Sequence, residues 1–194
     1  MTTANKLTVL RLILVPFFFI WFFVPAFTGI PGVLYAVVLV VLYAVAELTD
    51  LLDGKIARAS GQVTDLGKVM DPFADVMSHL TYFTCFLVSG LMPVWAFAVI
   101  MWREFSQSFL RMLMMGKGKP MAANIFGKAK TCLYAGVSIF GIAVRALIYI
   151  DNYRAWMGTA MTVLCYLAAF ASVMSFAIYI RAVVKAGTLK DMTR

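Results

Sequence analysis

Five of the nine acidic residues in this chain lie in one short segment, residues 50–75, and four of them form two pairs with helical spacing. On a helix, Asp50 and Asp53 project from one face because they are spaced i,i+3, and the i,i+4 spacing of Asp71 and Asp75 has the same effect. Two such helices side by side would gather four carboxylates, which repel one another unless a cation is bound. Hard oxygen ligands of this kind suit Mg²⁺ or Mn²⁺. The spacing therefore predicts a site for divalent cations.

Long apolar runs flank this segment, so membrane-spanning helices are the elements that must position the aspartates. Hydrophobic residues make up 63% of the 194 residues and charged residues 13%, which is unlike a soluble globular protein. Because a span needs about 20 apolar residues, the chain has room for about six. We therefore expect an all-α integral membrane protein with six transmembrane helices, a polar active-site cavity on the cytoplasmic side, and one membrane domain over residues 1–194.

The apolar runs place the six spans at about residues 7–23, 33–57, 65–89, 94–115, 126–150 and 156–184. The first run lacks the small-residue cleavage site of a signal peptide, so we interpret it as a retained span. Three cysteines lie inside apolar runs, without a pairing or metal-binding spacing: Cys85, Cys132 and Cys165. They are expected to be small buried apolar side chains.

Lysine and arginine are distributed unevenly between the two sides of this arrangement. Fifteen of the seventeen fall on one side, and only Arg145 and Arg154 fall on the other. The positive-inside rule then places both termini and the aspartates in the cytoplasm, so the inner (cytoplasmic) membrane is the expected location. The net charge of +8 indicates an anionic membrane surface and an anionic substrate rather than nucleic acid, because the basic residues are spread along loop edges and helix ends.

The aspartate segment as a whole has a specific pattern, D-x2-D-G-x2-A-R-x8-G-x3-D-x3-D. Its fixed positions are Asp50, Asp53, Gly54, Ala57, Arg58, Gly67, Asp71 and Asp75. This pattern resembles the signature of the CDP-alcohol phosphotransferase family, integral membrane enzymes that build phospholipid head groups. The motif covers 26 of the 194 residues, and the number and placing of the apolar runs also resemble the family.

The resemblance implies roles for the residues of the motif and for some residues near it. By this resemblance the four aspartates bind two metal ions, Mg²⁺ or Mn²⁺, and Asp75 also acts as the general base. A second set is implied to contact the CDP-linked lipid: Asn5, Thr8, Gly54, Ala57, Arg58, Thr64 and Gly67. The guanidinium of Arg58 suits a diphosphate because it offers paired donors.

Several of these residues also have structural interpretations. The small residues Gly54 and Ala57 could allow close helix packing, and Arg58 could anchor the helix at the membrane surface. Asn5 and Thr8 are equally suited to cap a helix. The aspartates could also be neutralised by three neighbouring bases: Lys55, Arg58 and Lys68. The glycines and Ala57 would then have no reason to keep the register of the motif, so the metal site is favoured.

A second group of polar residues lies in and after the fourth apolar run. Arg103, Gln107 and Arg111 line one face of a helix, and Lys128 and Lys130 open the next span. Arg103 lies too deep in the run for a simple anchor, so a pocket for the phosphate of an anionic acceptor is predicted. Its residues are Arg103, Arg111, Lys128 and Lys130. The alternative for each is anchoring by a snorkelling side chain.

Two short stretches narrow the resemblance to the branch that makes phosphatidylglycerophosphate: Arg103-Glu104-Phe105 and Gly127-Lys128-Ala129-Lys130. The implied reaction transfers a phosphatidyl group from CDP-diacylglycerol to sn-glycerol 3-phosphate and releases CMP, and the resemblance implies a homodimer. Val76 occupies a position where that branch usually has lysine, so other acceptors (inositol phosphate, serine or another alcohol) stay open.

A transporter of divalent cations or protons is the alternative from a different class of protein. It would need charged residues through the membrane to the far side, and the far-side halves of the spans are nearly uncharged. The only histidine, His79, lies one turn after Asp75. We expect it to be a packing or hydrogen-bonding residue rather than a metal ligand.

Overall fold

The structure is a computed structural model that describes residues 2–59, 65–116 and 125–185. For some residues within these ranges only the backbone is described: 57–59, 65, 66, 68, 113, 115, 116, 125, 126, 182 and 185. The regular structure of the described part is entirely helical: α1 (Thr3–Phe23), α2 (Gly32–Ala59), α3 (Asp65–Val88), α4 (Val94–Gly116), α5 (Ile125–Tyr149) and α6 (Ala155–Lys185). One 3₁₀ turn follows α1. Each predicted span corresponds to one helix, and the all-α class is confirmed.

Four of these helices are long and apolar enough to cross a membrane. The candidate spans lie in α1, α2, α5 and α6: Thr3–Ala26, Gly32–Ile56, Gly127–Tyr149 and Ala155–Arg181. The sequences of α3 and α4 contain more polar and charged residues, including two of the motif aspartates on α3. The chain is therefore a multi-pass, all-helical membrane protein, and the crossing of the bilayer by α3 and α4 stays a prediction.

The six helices pack as a closed ring in the order α1, α2, α5, α6, α4, α3, and α3 also contacts α5 across the ring. The sequence suggested that the two motif helices, α2 and α3, lie side by side. In the described residues α2 and α3 share few close contacts, and both pack against α1 instead. The N-terminal helix therefore joins the two halves of the motif.

Aromatic side chains fill the middle of the bundle. Phe18 of α1 packs edge-on against Tyr82 of α3 at 4.7 Å between ring centroids, and Phe83 of α3 does the same with Tyr134 of α5 at 5.3 Å. All four side chains are almost completely buried. Because the outward faces of the helices are also apolar, as at Ile20, lipid rather than water is the solvent that suits the outer surface.

Close backbone approaches fix the ends of the helices away from the motif. Gly90 has φ +73°, a conformation that glycine adopts without a steric penalty. This turn lets the Leu91 N–H donate to the carbonyl of Phe86 at 2.8 Å, which reverses the chain from α3 into α4. A Cβ at Gly32 would lie 1.9 Å from the carbonyl oxygen of Tyr149. The start of α2 therefore needs glycine in order to pack on the end of α5.

Arg145 of α5 lies at this same end of the bundle. Its guanidinium donates to the hydroxyls of Tyr35 and Tyr149, each at 3.3 Å, and to the carbonyl of Phe22 at 3.5 Å. It also lies 4.5 Å from the ring centroid of Phe22 and 4.7 Å from that of Tyr149. Tyr35 precedes Asp53 by about 27 Å along α2, from the rise of an α-helix. The arginine and the aspartates are therefore at opposite ends of the bundle.

Candidate active site

Thr8 of α1 brings the two halves of the aspartate motif together. Its Oγ1 lies 3.0 Å from Oδ2 of Asp53 on α2 and 2.9 Å from Oδ1 of Asp71 on α3. The same oxygen lies 3.2 Å from the carbonyl of Ala4. A hydroxyl has a single proton to donate, so it cannot satisfy two carboxylates and a carbonyl at once. The site is therefore short of positive charge or protons.

Arg11 follows Thr8 by one helical turn and supplies the only guanidinium of this site in the described part of the chain. Its Nη1 pairs with Oδ1 of Asp50, and its Nη2 lies 3.7 Å from Oδ2 of Asp53. The arginine is 3% exposed. Its Nε and Nη2 have no hydrogen-bond partner among the described residues. Asp53 is also buried, whereas the side chain of Asp50 is 42% exposed.

Asp75 lies one turn after Asp71 on α3 and contacts a different partner. The Nδ1 of His79 is 3.2 Å from Oδ1 of Asp75 and 2.9 Å from its carbonyl oxygen. His79 is buried, and the Asp75 carboxylate is 42% exposed. The hydrogen-bonding role expected for His79 is thus what the structure shows. One oxygen of Asp75 is held in place while the carboxylate remains accessible.

The donor set of these residues fits divalent cations. The acidic cluster, which we define as Asp50, Asp53, Asp71 and Asp75 with Thr8 and Arg11, holds four carboxylates against one guanidinium in the described residues. Asp50, Asp71 and Asp75 are partly exposed, so their carboxylates are accessible to ligands. The four do not converge on one point, and the described side chains include no closed group of three or more acidic, histidine or cysteine ligands. Binding of two ions stays a prediction.

A second buried cluster is centred on Glu104 of α4. One oxygen, Oε1, accepts hydrogen bonds from Arg103 Nη1 at 2.6 Å, Lys130 Nζ at 2.9 Å and Tyr134 Oη at 2.9 Å. Two serines of α6 complete it, since Ser172 contacts Tyr134 at 2.9 Å and Ser175 contacts Arg103 at 3.2 Å. We call these six residues the Glu104 cluster. The contacts that this cluster makes between α4, α5 and α6 are polar.

His79 connects the two clusters. Its ring contacts Asp75 on one side and lies 5.5 Å from the ring centroid of Tyr134 on the other. Lys130 Nζ lies 4.4 Å from the centroid of that same tyrosine ring. The predicted base and the predicted phosphate-binding cations therefore belong to one continuous polar region at one end of the bundle.

The structure brings some of the predicted site residues together and leaves others apart. Arg103 and Lys130 meet at Glu104, but Arg111 and Lys128 are exposed and make no described contact with the cluster. Gly54 and Gly67 are partly buried on α2 and α3. Three predicted lipid contacts lie outside the described residues: the side chains of Ala57 and Arg58, and all of Thr64.

The first turn of α1 shows which residue caps this helix. The cap of α1 is Thr2, whose side chain accepts a hydrogen bond from the Asn5 N–H at 3.3 Å. Capping by Asn5 or Thr8 is therefore wrong, because both lie inside α1 and Thr8 faces the aspartates. Of the bases proposed to neutralise the aspartates, Lys55 is exposed. The side chains of Arg58 and Lys68 lie outside the described part.

Five residues of the two clusters were not predicted as site residues from the sequence: Arg11, Glu104, Tyr134, Ser172 and Ser175. Arg11 is a single base deep in the first apolar run, at i+3 from Thr8, and that position was a usable signal. Glu104 is likewise the single acid within the fourth apolar run. Tyr134 follows Lys130 by four residues, and nothing in the sequence marks its partner on α4.

An apolar cavity of about 570 Å³ opens between α3 and α4. Its wall includes Phe73, Val76 and Met77, which flank Asp75 on α3, and Phe105 and Phe109 of α4. Phe73, Phe105 and Phe109 are each more than half exposed on the outer face of the bundle. The cavity therefore connects the neighbourhood of the acidic cluster with the lipid-facing surface.

Comparison with known proteins gives a consistent result. A protein of Treponema pallidum named CDP-diacylglycerol–glycerol-3-phosphate 3-phosphatidyltransferase is 39% identical over 155 residues, which cover 76% of this chain and 71% of that protein. Proteins with the same name from Bacillus subtilis (36% identical; 66% of this chain, 69% of that protein) and Haemophilus influenzae (30%; 95% and 94%) are also similar. The sequence model of the CDP-alcohol phosphatidyltransferase family matches residues 1–165, and the chain therefore belongs to this family.

Proposed function

We propose that the protein transfers the phosphatidyl group of CDP-diacylglycerol to sn-glycerol 3-phosphate, giving phosphatidylglycerophosphate and CMP. The observation that carries the proposal is the contact of Asp53 and Asp71, from two helices, with one threonine hydroxyl. It brings together one carboxylate from each half of the family motif. The names of the similar proteins support this donor and this acceptor.

The donor lies with its diphosphate at the acidic cluster. Asp50, Asp53 and Asp71 are the residues that would hold divalent cations, Mg²⁺ or Mn²⁺, and Asp75 lies next to them. When such ions are bound, the negative charge on the phosphoryl oxygens and on the departing CMP is offset. Arg58 binds the diphosphate from the end of α2, in the role that the motif gives it.

Asp75 takes the proton of the acceptor hydroxyl. The hydroxyl oxygen then bonds to the lipid-side phosphorus, the bond from that phosphorus to the CMP oxygen breaks, and CMP leaves with the bonding electrons. His79 holds one oxygen of Asp75, which keeps the carboxylate directed at the acceptor, and such positioning provides much of the rate in phosphoryl transfer. Exchange of labelled CMP into CDP-diacylglycerol without any acceptor would instead indicate a covalent phosphatidyl-enzyme.

The phosphate of the acceptor binds at the Glu104 cluster. Arg103 and Lys130 bring two positive charges to one carboxylate, so one positive charge remains for an anion. Guanidinium and ammonium groups bind phosphate oxygens through charge-assisted hydrogen bonds. Serine carries no phosphate, so with serine as the acceptor the two buried cations would have no anion to bind. A phosphorylated acceptor is therefore favoured.

An acyl chain of the donor occupies the cavity between α3 and α4. The cavity is apolar, it begins beside Asp75, and it opens toward lipid. Thr84→Trp should fill it and raise the KM for CDP-diacylglycerol severalfold, with the KM for the acceptor unchanged. Val163→Trp, at an exposed position of α6, is the matched control. Equal KM values in the two variants would mean that the acyl chain lies outside this cavity.

All six helices cross the inner membrane in this proposal, with both termini and the acidic cluster in the cytoplasm. The distribution of lysine and arginine supports this orientation. It also gives the site access to a cytoplasmic acceptor. Single cysteines introduced into the loops of the protein and labelled in intact cells test this orientation. A cysteine beside Asp65 that reacts while the inner membrane is closed would show the opposite orientation.

One experiment tests the function directly. Purified protein in detergent receives CDP-diacylglycerol and Mg²⁺ or Mn²⁺, and CMP release is followed with a panel of acceptors: sn-glycerol 3-phosphate, inositol phosphate, serine and glycerol. We expect release that depends on metal and is fastest with sn-glycerol 3-phosphate. Faster release with another acceptor would change the substrate. A folded preparation that releases no CMP with any acceptor would refute the reaction.

A further inference from the structure

We infer that Glu104 is a positioning residue, which holds Arg103 and Lys130 together as a preformed site for the acceptor's phosphate. The inference rests on the proposed function, because it assigns the acceptor to this cluster. Glu104 would not touch the reacting atoms. It would act through the two cations that it binds.

The geometry shows one oxygen with three donors. Glu104 Oε1 accepts from Arg103, Lys130 and Tyr134 within 2.6–2.9 Å, and Glu104 is 4% exposed. Two cations bound to the same oxygen have their charged groups close together, an arrangement that their mutual repulsion opposes unless a carboxylate lies between them. Glu104 therefore determines where both positive charges are located.

The cluster also retains unused binding capacity. Two cations against one carboxylate leave a net positive charge in a buried location, which is costly without an anion. The Nε of Arg103 has no hydrogen-bond partner in the described residues. Arg103 is 5% exposed, so this N–H group is removed from water. A phosphate could accept from the free N–H group and balance the remaining charge.

The cluster is linked to Asp75 through two intervening side chains. Tyr134 lies between Glu104 and His79, and His79 contacts the Asp75 carboxylate. Lys130, whose side chain is 11% exposed, is the more accessible of the two cations. An acceptor whose phosphate is bound there would have its hydroxyl group directed toward Asp75. This placement distinguishes a positioning role from a purely structural ion pair.

Glu104→Gln tests the inference, since it removes the charge and retains the shape. We expect the KM for sn-glycerol 3-phosphate to rise by about tenfold or more, as for other buried charge pairs that lose one partner, with kcat and the KM for CDP-diacylglycerol within about twofold of the unmodified protein. Lys130→Ala should raise the same KM. Because Glu104 acts partly through Lys130, the double variant should raise this KM by less than the product of the two single effects.

A second readout does not depend on transfer. Inorganic phosphate and sn-glycerol 3-phosphate should raise the melting temperature of the unmodified protein, and Glu104→Gln should abolish this rise. Absence of CMP release with an intact phosphate effect would refute the proposed function, while phosphate binding positioned by Glu104 would still hold. Glu104→Asp, which keeps the charge but shortens the side chain, serves if the glutamine variant does not fold.

Three outcomes would overturn the inference. A lower melting temperature with an unchanged KM and an unchanged phosphate effect would make Glu104 a structural ion pair. A lower KM would show that the carboxylate opposes phosphate binding. Additive effects in the double variant would separate Glu104 from Lys130. Asp151→Asn, on an exposed turn away from both clusters, is the control and should change none of these values.

Discussion

Replacing Arg11 with methionine removes the guanidinium that neutralises the acidic cluster. Arg11 is 3% exposed and pairs with Asp50 and with Asp53, which is itself buried. Removal of one partner from a buried ion pair costs about 3–5 kcal/mol because the other charge stays buried. For a chain of this size, 1 kcal/mol corresponds to about 2–4 °C. We therefore expect the melting temperature of Arg11→Met to fall by roughly 10 °C when metal is absent.

The effect should depend on metal, which makes it diagnostic. The assay heats purified protein in detergent, with either EDTA or Mn²⁺, and follows the loss of the monodisperse peak in size exclusion. A divalent cation bound to the aspartates supplies the missing positive charge, so most of the loss should disappear with Mn²⁺. Arg154→Met is the matched control, because Arg154 is exposed at the other end of the bundle. It should change the melting temperature little in both conditions.

Equal losses with EDTA and with Mn²⁺ would refute this reasoning. They would mean that Arg11 contributes packing rather than charge, or that the aspartates bind no cation. Arg11→Lys separates these explanations, since lysine keeps the charge and loses the paired donors. If charge is what matters, the lysine variant should melt closer to the unmodified protein than the methionine variant does with EDTA.

Two further predictions concern the base and the packing of the bundle. Asp75→Asn should lower CMP release by roughly a hundredfold or more, because it removes a general base, and leave binding of CDP-diacylglycerol largely intact. Near-normal release would make the assignment wrong, and Asp151→Asn is its control. Gly141→Ala should lower the melting temperature by several degrees, since its Cβ would lie 2.7 Å from the buried ring of Phe86 and overpacking costs about 1–3 kcal/mol. Gly136→Ala, whose Cβ would make an ordinary contact at 4.0 Å with the side chain of Leu164, should melt at or above the original temperature; equal losses in both variants would point to backbone effects instead.

The positions of the helices followed from the sequence because apolar length is a local property. The six predicted spans correspond to α1–α6, within a few residues at each end. The packing order did not follow, since it depends on which faces meet. The bridge that Thr8 forms between Asp53 and Asp71 is a contact between three helices, and no spacing within one helix could have predicted it.

The candidate site was predictable to the extent that one short segment contains it. The four aspartates have a fixed register, whereas the Glu104 cluster is assembled from α4, α5 and α6. Arg103 and Lys130 were predicted as phosphate ligands, but their shared carboxylate was not. Contacts between distant segments depend on burial and on the pairing of charges, which is why Tyr134 gave no signal in the sequence.

The arginine held between aromatic rings at the far end of the bundle would oppose the passage of cations through this protein. Arg145 is a fixed positive charge, bound to Tyr35 and to a carbonyl of α1. A cation that entered from the aspartate end would be repelled as it approached, and such electrostatic barriers are how pores exclude cations. Proteoliposomes should therefore show no Mn²⁺ flux above that of empty vesicles. Measurable flux would mean that the barrier opens. An absence of flux would mean that metal enters and leaves by the same route.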